Sequence, residues 1–511
     1  MKRVELLKSL SFGSQVAEDE VASLQEYFVR TEQWGRISRG DIDIIRGEKG
    51  AGKSALYLLL NKSREELFER NILIVSGENP RGTTVFRDLI SDPPASEREF
   101  VVLWKLYILV IVCHEMREFD LFDLAVNSVY AALEEAGLLE RELNLAGLLR
   151  SAQNFARRLL RSSTEYGLQI DPATGMPSGI IGKIALAEPS SELRSAGISS
   201  LDGMFAKVNA SLEKSDQKVW VLLDRLDVAF AESHELEANA IRALIRVYTD
   251  FGGFDNLSLK IFLREDIWKR VTDEGFRELS HIVRFEVMSW TNAMLLNVAM
   301  KRILNNDALC RELGVNKEDV LSDFGKQEAL FARIFPKQVE QGVQKATTFN
   351  WMIARCADGT GNTAPREFIH LLNCIKEEEI KRLELGGAEP PDDQLFDRSV
   401  FKAALPTVSN TRLNTYLYAE YKIERPFIEK LHSEKTEQTP ESLAAIWGLE
   451  RPDALKKALD LTSLGFFEKR GTRDNPTFWV PFLYRDALNL RQGKADIDGM
   501  SPETEEEIAV K

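Results

Sequence analysis

Cysteine and histidine are scarce in this chain, with four of one and five of the other in 511 residues. Cys113, Cys310, Cys356 and Cys374 show no C-x-x-C spacing, and the histidines do not cluster with them. That pattern excludes a disulfide framework and a structural zinc site, and points to a reducing compartment. Long apolar runs are missing as well. The most apolar stretch, Phe100 to Cys113, is interrupted by Lys105 and falls short of the roughly 18 residues a spanning helix needs. It reads as a buried core helix. Met1 to Glu5 lacks the apolar run of a signal peptide, so the expectation is a cytoplasmic protein with no membrane partner. Positive charge is in deficit: 66 Lys and Arg stand against 80 Asp and Glu, a net charge of −14. A protein that wraps nucleic acid along its length should be basic, so wholesale coating of DNA is excluded, while a local basic patch is not.

What is present is the composition of a globular chain, 44% apolar and 29% charged, long enough for about three domains at roughly 100–200 residues each. The chemistry announces itself early. Asp41 to Arg46 reads as a short strand, and Gly47-Glu48-Lys49-Gly50-Ala51-Gly52-Lys53-Ser54 follows, running through Ala55 into an apolar helix. This is G-x-x-x-x-G-K-S between a strand and a helix, the context of a phosphate-binding P-loop. The glycines let successive backbone N–H groups turn toward phosphates, and the helix N-terminus adds a favourable dipole. Lys53 is placed to meet the β- and γ-phosphates. Ser54 is placed to ligate Mg²⁺ beside phosphate oxygens and water. The expected cofactors are therefore a nucleotide, ATP, and Mg²⁺.

A second strand, Val219 to Leu223, ends in Asp224, the candidate Walker B carboxylate and second metal ligand. Arg225 follows where an adjacent glutamate is usual. The next acid, Asp227, is the candidate for orienting the attacking water, with capping of the following helix as its alternative role. A third strand, Leu259 to Leu263, ends in Arg264. Its guanidinium suits charge developing on a transferred phosphoryl group; a salt bridge to Glu265 or Asp266 is the alternative. A fourth strand is expected over His281–Val287. No LSGGQ-like signature, N-K-x-D guanine motif or kinase catalytic loop is present, and these absences favour ATP.

Lys53 and Asp224 lie 171 positions apart, more than one strand–helix unit requires. The interval begins with a strand, Asn71 to Val75. Apolar-periodic helices follow near Phe100–Glu118, Leu121–Ala136 and Leu143–Arg161, then a Gly/Pro/Ser-rich loop from Asp171 to Ser200. Beyond the sheet, residues 291–405 read as a helical lid. Within it Asp358 to Thr363 forms a polar glycine loop, with Pro365 and Arg366 at a helix start; Arg366 is the candidate lid (sensor 2) arginine. Thr439-Pro440 opens a helix closing at Gly448, Arg451–Leu464 is a second, and residues 466–470 and 477–480 form a hairpin. That is a winged-helix pattern. Lys456, Lys457, Lys469, Arg470 and Arg473 are its candidate phosphate contacts, although Thr439–Arg491 holds eight Lys/Arg and seven Asp/Glu, a net of +1.

The expected class is thus α/β: a P-loop NTPase parallel sheet with a large helical insertion, a helical lid and a C-terminal winged-helix domain. Its parts are a nucleotide-flanking segment at 1–40, an ATPase core at 41–290 with the insertion near 79–215, the lid at 291–405, the winged helix at 406–495 and an acidic tail at 496–511.

The order P-loop, delayed Walker B, Arg264, lid with Arg366, winged helix resembles bacterial P-loop ATPases lying between AAA+ initiator-like proteins and the STAND/KAP signalling NTPases. The likeness includes Phe12-Gly13-Ser14, Ala17-Glu18-Asp19-Glu20, Tyr27-Phe28, Trp34 and the D-x-x-D of Asp224-Arg225-Leu226-Asp227. Val228 departs from it, standing where STAND proteins often carry another acid. The resemblance implies a slow switch ATPase, nucleotide-controlled homo-oligomers with Arg270 or Arg277 as a finger in trans, and a separate protein effector in stress or anti-phage defence. Its alternative is a DNA-engaging initiator or loader.

Overall fold

The computed structural model describes residues 3–20, 24–29, 31–79, 84–87, 89, 93–94, 96–139, 144–164, 179–226, 233–273 and 282–495. The chain divides into two compact units. One comprises Ala17–Gln25 and Arg30–Met288; the other comprises Met1–Val16, Glu26–Val29 and Ser289–Lys511. The first 40 residues are thus shared between them.

In the first unit, runs of β-branched and aliphatic residues form five parallel strands: β1 Ile44–Gly47, β2 Ile72–Ser76, β3 Lys218–Leu223, β4 Leu257–Arg264 and β5 Phe285–Val287. Their order is β2-β3-β4-β1-β5. Continuous apolar strands such as Val219–Leu223 fit a parallel sheet covered on both faces. β5 is shorter than the sequence suggests: of the expected strand over 281–287 only Phe285–Val287 pairs with β1, and His281 lies outside the described residues.

The expected helical insertion packs on the sheet. The helix Glu97–Glu118 is buried nearly all round, and it shares one hydrophobic core with β2, β3, β4 and the helices Leu124–Glu135 and Leu145–Thr164. Lys105, the charge in that helix, is tied to Asp202 Oδ1 at 2.6 Å and Asp250 Oδ2 at 2.7 Å. The expected loop at 171–200 is partly structured. Its described part carries a small three-stranded sheet (Ile180–Ile181, Ile184–Ala185, Ser199–Ser200) and the helix Ser191–Ser195, while Pro172, Gly175 and Pro177 lie outside the described residues.

A buried cation locks the N-terminal end of the sheet. Lys260 on β4 is fully buried and donates to Ile42 O at 2.6 Å and Asp43 Oδ1 at 2.8 Å, with its ammonium 4.4 Å from the Trp220 ring centroid. Asp43 also receives Arg284 Nε at 2.8 Å and the Tyr248 hydroxyl at 3.2 Å. Burial pulls the Lys260 ammonium below its ordinary range, opposed by Asp43.

The second unit contains the helices Asn292–Ile303, Phe324–Ile334, Thr348–Cys356, Pro365–Glu384 and Ser399–Arg412. It closes with β6 Lys435–Gln438, helices Pro440–Trp447 and Arg451–Ser463, the hairpin β7 Glu468–Gly471 with β8 Pro476–Trp479, and β9 Arg491–Lys494, in sheet order β7-β8-β6-β9. Both helices and the hairpin stand where the sequence predicts them; β6 and β9, short and polar, carry no such signal. Thr439 and Ser442 form a reciprocal capping box, and Gly448 ends that helix at φ 69°. Outside the sheet, arginines and aromatic rings alternate. Arg470 lies over Trp479 at 3.9 Å, Arg485 over Trp479 at 4.0 Å and Phe482 at 4.1 Å, and Arg355 over Phe482 at 4.0 Å and Trp351 at 4.5 Å. Burial, then the like charges of Arg355 and Arg470, push Arg485 down to about 10.

Removing the Lys260 ammonium leaves Asp43 facing orphaned carbonyls. Lys260→Ala is expected to cost about 3–5 kcal/mol in urea unfolding, and Lys260→Met, which refills the volume, less.

Candidate functional site

Because all five strands are parallel, their C-terminal ends share one edge, the place where open α/β sheets bind ligands. Gly47 ends β1 directly beside Arg264 at the end of β4, and Leu223 of β3 is level with Ile261 of the same strand. β4 therefore stands between the P-loop strand and the strand that delivers Asp224.

The P-loop backbone demands its glycines. Gly50 and Gly52 take φ 87° and 100°, a region L side chains avoid. A Cβ on Gly47 would lie 3.1 Å from Met288 Cβ and 3.3 Å from Ala51 Cβ. Ala51 N bonds Glu48 O at 3.1 Å, closing the turn. Gly52 is the N-cap of the helix Lys53–Lys62 and supplies no side-chain cap, so the N-cap position itself leaves the helix N-terminus open toward the loop. Lys53 Nζ curls over the loop to Gly47 O at 2.8 Å and Glu48 O at 3.0 Å. Lys49 belongs to the turn, and Ser54 and Ala55 to the first helical turn.

Asp224 is 4% exposed at the end of β3. One hydroxyl, Ser54, and one carboxylate, Asp224, are a donor set that suits Mg²⁺, which keeps most of its shell for water and phosphate. Arg225 holds φ 58°, left-handed for a bulky residue, and its Nη1 approaches Asn79 O at 3.5 Å. Arg264 is 7% exposed and forked onto Asp266, Nε to Oδ1 at 3.0 Å and Nη2 to Oδ2 at 2.7 Å. Arg46, just before the loop, is held between Trp268 at 4.5 Å and Phe285 at 4.6 Å, with Glu265 at 3.8 Å. Arg270 pairs with Glu237. Asp227 and Arg277 lie outside the described residues.

One carboxylate at this edge has no counterpart in the motifs. Glu78, two residues beyond β2, is fully buried, and burial pushes its carboxyl up to about 7. It accepts from Thr84 Oγ1, Asn79 N at 2.8 Å and Val85 N at 3.2 Å. Tyr57, on the P-loop helix, donates to Glu78 O at 2.6 Å, and Tyr107 donates to Gly77 O at 2.8 Å. The strand-then-acid pattern that picks out Asp224 also fits Ile72–Ser76 followed by Glu78; lacking a motif name, it escapes the sequence reading.

Arg366 belongs to the other unit, at the start of Pro365–Glu384. Its neighbour Glu367 makes a buried pair with Arg412 at 2.6 Å, and Arg412 lies 3.7 Å from the Tyr416 ring centroid. The glycine loop ahead of that helix is anchored within the unit. Gly359 N bonds Gly465 O at 2.7 Å, and a Cβ on Gly359 would fall 2.3 Å from Phe467 O. Asp358 turns the loop by accepting from Thr360 N at 2.9 Å and Thr360 Oγ1 at 2.7 Å. The loop thus seats on the turn between the helix Arg451–Ser463 and the hairpin. Among the five candidate phosphate contacts, Arg470 is bidentate with Glu468 at 2.7 and 2.9 Å, and Lys457 faces Glu424 at 3.7 Å. Lys456, Lys469 and Arg473 are exposed and make no ion pair among the described residues.

The sheet and its loop define a P-loop α/β fold. No family model matches the sequence. Over 309 residues the chain is 24% identical to a putative transposon gamma-delta 80.3 kDa protein of Escherichia coli (strain K12). That match covers 58% of this chain and 40% of that protein, so the chain spans under half the length of its curated relative. Among solved structures it is similar to the Aeropyrum pernix ORC2 protein in its ADPNP–ADP complexes, at 12% identity and TM-score 0.40, covering 90% of this chain and 92% of that one. Cdc6p from Pyrobaculum aerophilum aligns at 13% identity and TM-score 0.28, covering 91% and 92%. At these scores the likenesses carry no argument, and the site stands on its own geometry. Among the described residues no helix is long and apolar enough to cross a membrane.

Gly359→Ala forces the loop off Phe467. Its expected cost is about 1–3 kcal/mol, read as a lowered midpoint in chemical denaturation of the full chain.

Proposed function

We propose that this chain is a Mg²⁺-ATP-dependent switch ATPase of the AAA+ kind. The observation that carries the reading is the loop Gly47–Ser54. Its two left-handed glycines, uncapped helix N-terminus and overarching Lys53 form a phosphate cradle, with Asp224 on the same sheet edge. In this reading Gly50, Gly52, Lys53 and Ser54 bind the phosphates, and Ser54 and Asp224 hold the metal. The metal neutralises charge on the phosphates when bound; the chain's own groups orient them and keep the reacting end dry. β4 between β1 and β3 supports the AAA+ side of the resemblance, because it sets Arg264 between loop and aspartate. Arg264 then has to exchange Asp266 for phosphate, which suits a sensor that changes partner with nucleotide state. Arg366 keeps the lid role, and Asp227 that of water orientation. The family resemblance supplies the wider setting: nucleotide-controlled homo-oligomers, with Arg270 or Arg277 acting in trans, and a protein effector in stress or anti-phage defence.

Lys53→Ala is expected to abolish turnover and weaken ATP binding at least tenfold, measured by phosphate release and equilibrium titration, without loss of secondary structure by circular dichroism. Unchanged binding and turnover would defeat the reading.

A DNA-engaging initiator or loader is the second reading. It is favoured by the winged-helix order of elements and by Lys456, Lys469 and Arg473, which are exposed and make no ion pair among the described residues. Three phosphate contacts predict a log–log salt dependence of duplex binding near about −3. Reversing the three to Glu should abolish both the binding and any DNA-stimulated turnover. Turnover and particle size that respond to nucleotide but ignore DNA select the signalling switch.

A further inference from the structure

Hydrolysis at a P-loop needs a side chain that orients the attacking water, commonly a carboxylate, and Arg225 occupies the position directly after Asp224. The described acids at the sheet edge can be taken in turn. Asp266 is forked onto Arg264, and Glu265 faces Arg46. Asp224 belongs to the metal in the reading above. Glu48 lies within the phosphate loop, Asp227 lies outside the described residues, and Glu78 is the acid that the strand next to that of Asp224 delivers to the edge. Ser76 pairs with Leu222, and Gly77 N still bonds Leu222 O at 2.9 Å. Glu78 follows one residue after Gly77 and Asp224 two residues after Leu222, so neighbouring strands deliver the two acids to the same edge of the sheet.

Two further contacts converge on the same place. Tyr57, three residues after Ser54, donates to the Glu78 carbonyl, and its phenol feels the charge of both Asp224 and Glu78. Arg225, in its left-handed conformation, turns toward β2 instead of continuing the strand. Its guanidinium reaches Asn79 O, and its charge acts on Glu78. The cation stands where a Walker B pair carries its glutamate, and an acid stands beyond the neighbouring strand.

We infer that Glu78 is the general base of the proposed ATPase, accepting the proton of the attacking water, and that Arg225 is its positioning residue. The inference rests on the ATPase reading. Water oxygen bonds the γ-phosphorus as the bond from that phosphorus to the β,γ-bridging oxygen breaks. The bridging oxygen leaves on ADP with the electron pair, and the water proton passes to a Glu78 carboxylate oxygen and then to solvent. A carboxyl raised by its enclosure is matched to proton transfer near neutrality.

The competing role is purely structural: through Thr84, Val85 and Asn79 the carboxylate anchors the chain that follows β2. Phosphate-release kinetics and ATP titration on wild type, Glu78→Gln, Glu78→Asp, Arg225→Ala and Lys53→Ala separate the two. Glu78→Gln should bind ATP within about threefold of wild type while kcat falls roughly 100-fold or more. Glu78→Asp should recover part of kcat, and Arg225→Ala should lower kcat with KM unchanged. Wild-type kcat in Glu78→Gln overturns the inference, as does joint loss of melting temperature and ATP binding that Glu78→Asp shares without any separate fall in kcat. If Glu78→Gln does not fold, Glu78→Asp decides: reduced kcat at intact binding supports the base, and wild-type kcat overturns it. Turnover that Lys53→Ala abolishes but Glu78→Gln spares sinks only this inference. No ATP binding or turnover in the wild type sinks the ATPase reading with it.

Discussion

Everything at the phosphate edge depends on a charge buried at the opposite edge. Lys260 holds the entry to β1 through two backbone carbonyls and Asp43, and it is itself carried on β4. A one-residue slip of β1 against β4 would strand an ammonium in the core, at a cost of several kcal/mol. Register is therefore fixed where no ligand binds, and Gly47 arrives beside Arg264 as a consequence. The knot recruits Arg284 and Tyr248 onto the same carboxylate, so the approach to β5 and a flanking helix share the constraint.

From that fixed register the site follows with little freedom. Parallel strands bring the loop, Asp224, Arg264 and Glu78 to one edge, and the side chains there are mostly engaged: Lys53 on loop carbonyls, Arg264 on Asp266, Arg46 between two rings. Charge-assisted contacts of this kind hold geometry before a ligand arrives. In the proposed reading a phosphate would compete for these donors, and each exchange of partner would be a means for nucleotide state to alter the protein.

The P-loop was legible because its chemistry requires consecutive residues: glycines for the turn, then lysine and serine. Strands β1 to β4 are legible because burial on both faces leaves a continuous apolar run in Val219–Leu223 and one broken only by Lys260 in Leu259–Leu263. β5 was over-extended because an edge strand pairs on one side only, and few of its residues need ladder bonds. Periodicity identifies Phe100–Glu118 as a buried helix, but a single sequence does not say which core buries it; the structure gives it the core of the parallel sheet. β6 and β9 are too short and polar to signal themselves. The seating of Gly359 on Phe467 and the delivery of Glu78 and Asp224 to one sheet edge by neighbouring strands bring together residues more than 100 positions apart, which spacing along the chain cannot express.

The alternating stack from Arg470 to Trp351 bears on modularity. Each guanidinium between rings contributes both a charge and a flat apolar face, so the hairpin is laminated onto the helix Thr348–Cys356 instead of hanging from a linker. A fragment ending before β6 would expose Trp351 and leave Arg355 without Phe482, and an excised C-terminal piece would bare Trp479 and a desolvated Arg485. Grafting or truncation at the apparent domain border near residue 406 should therefore give sticky, poorly folded products.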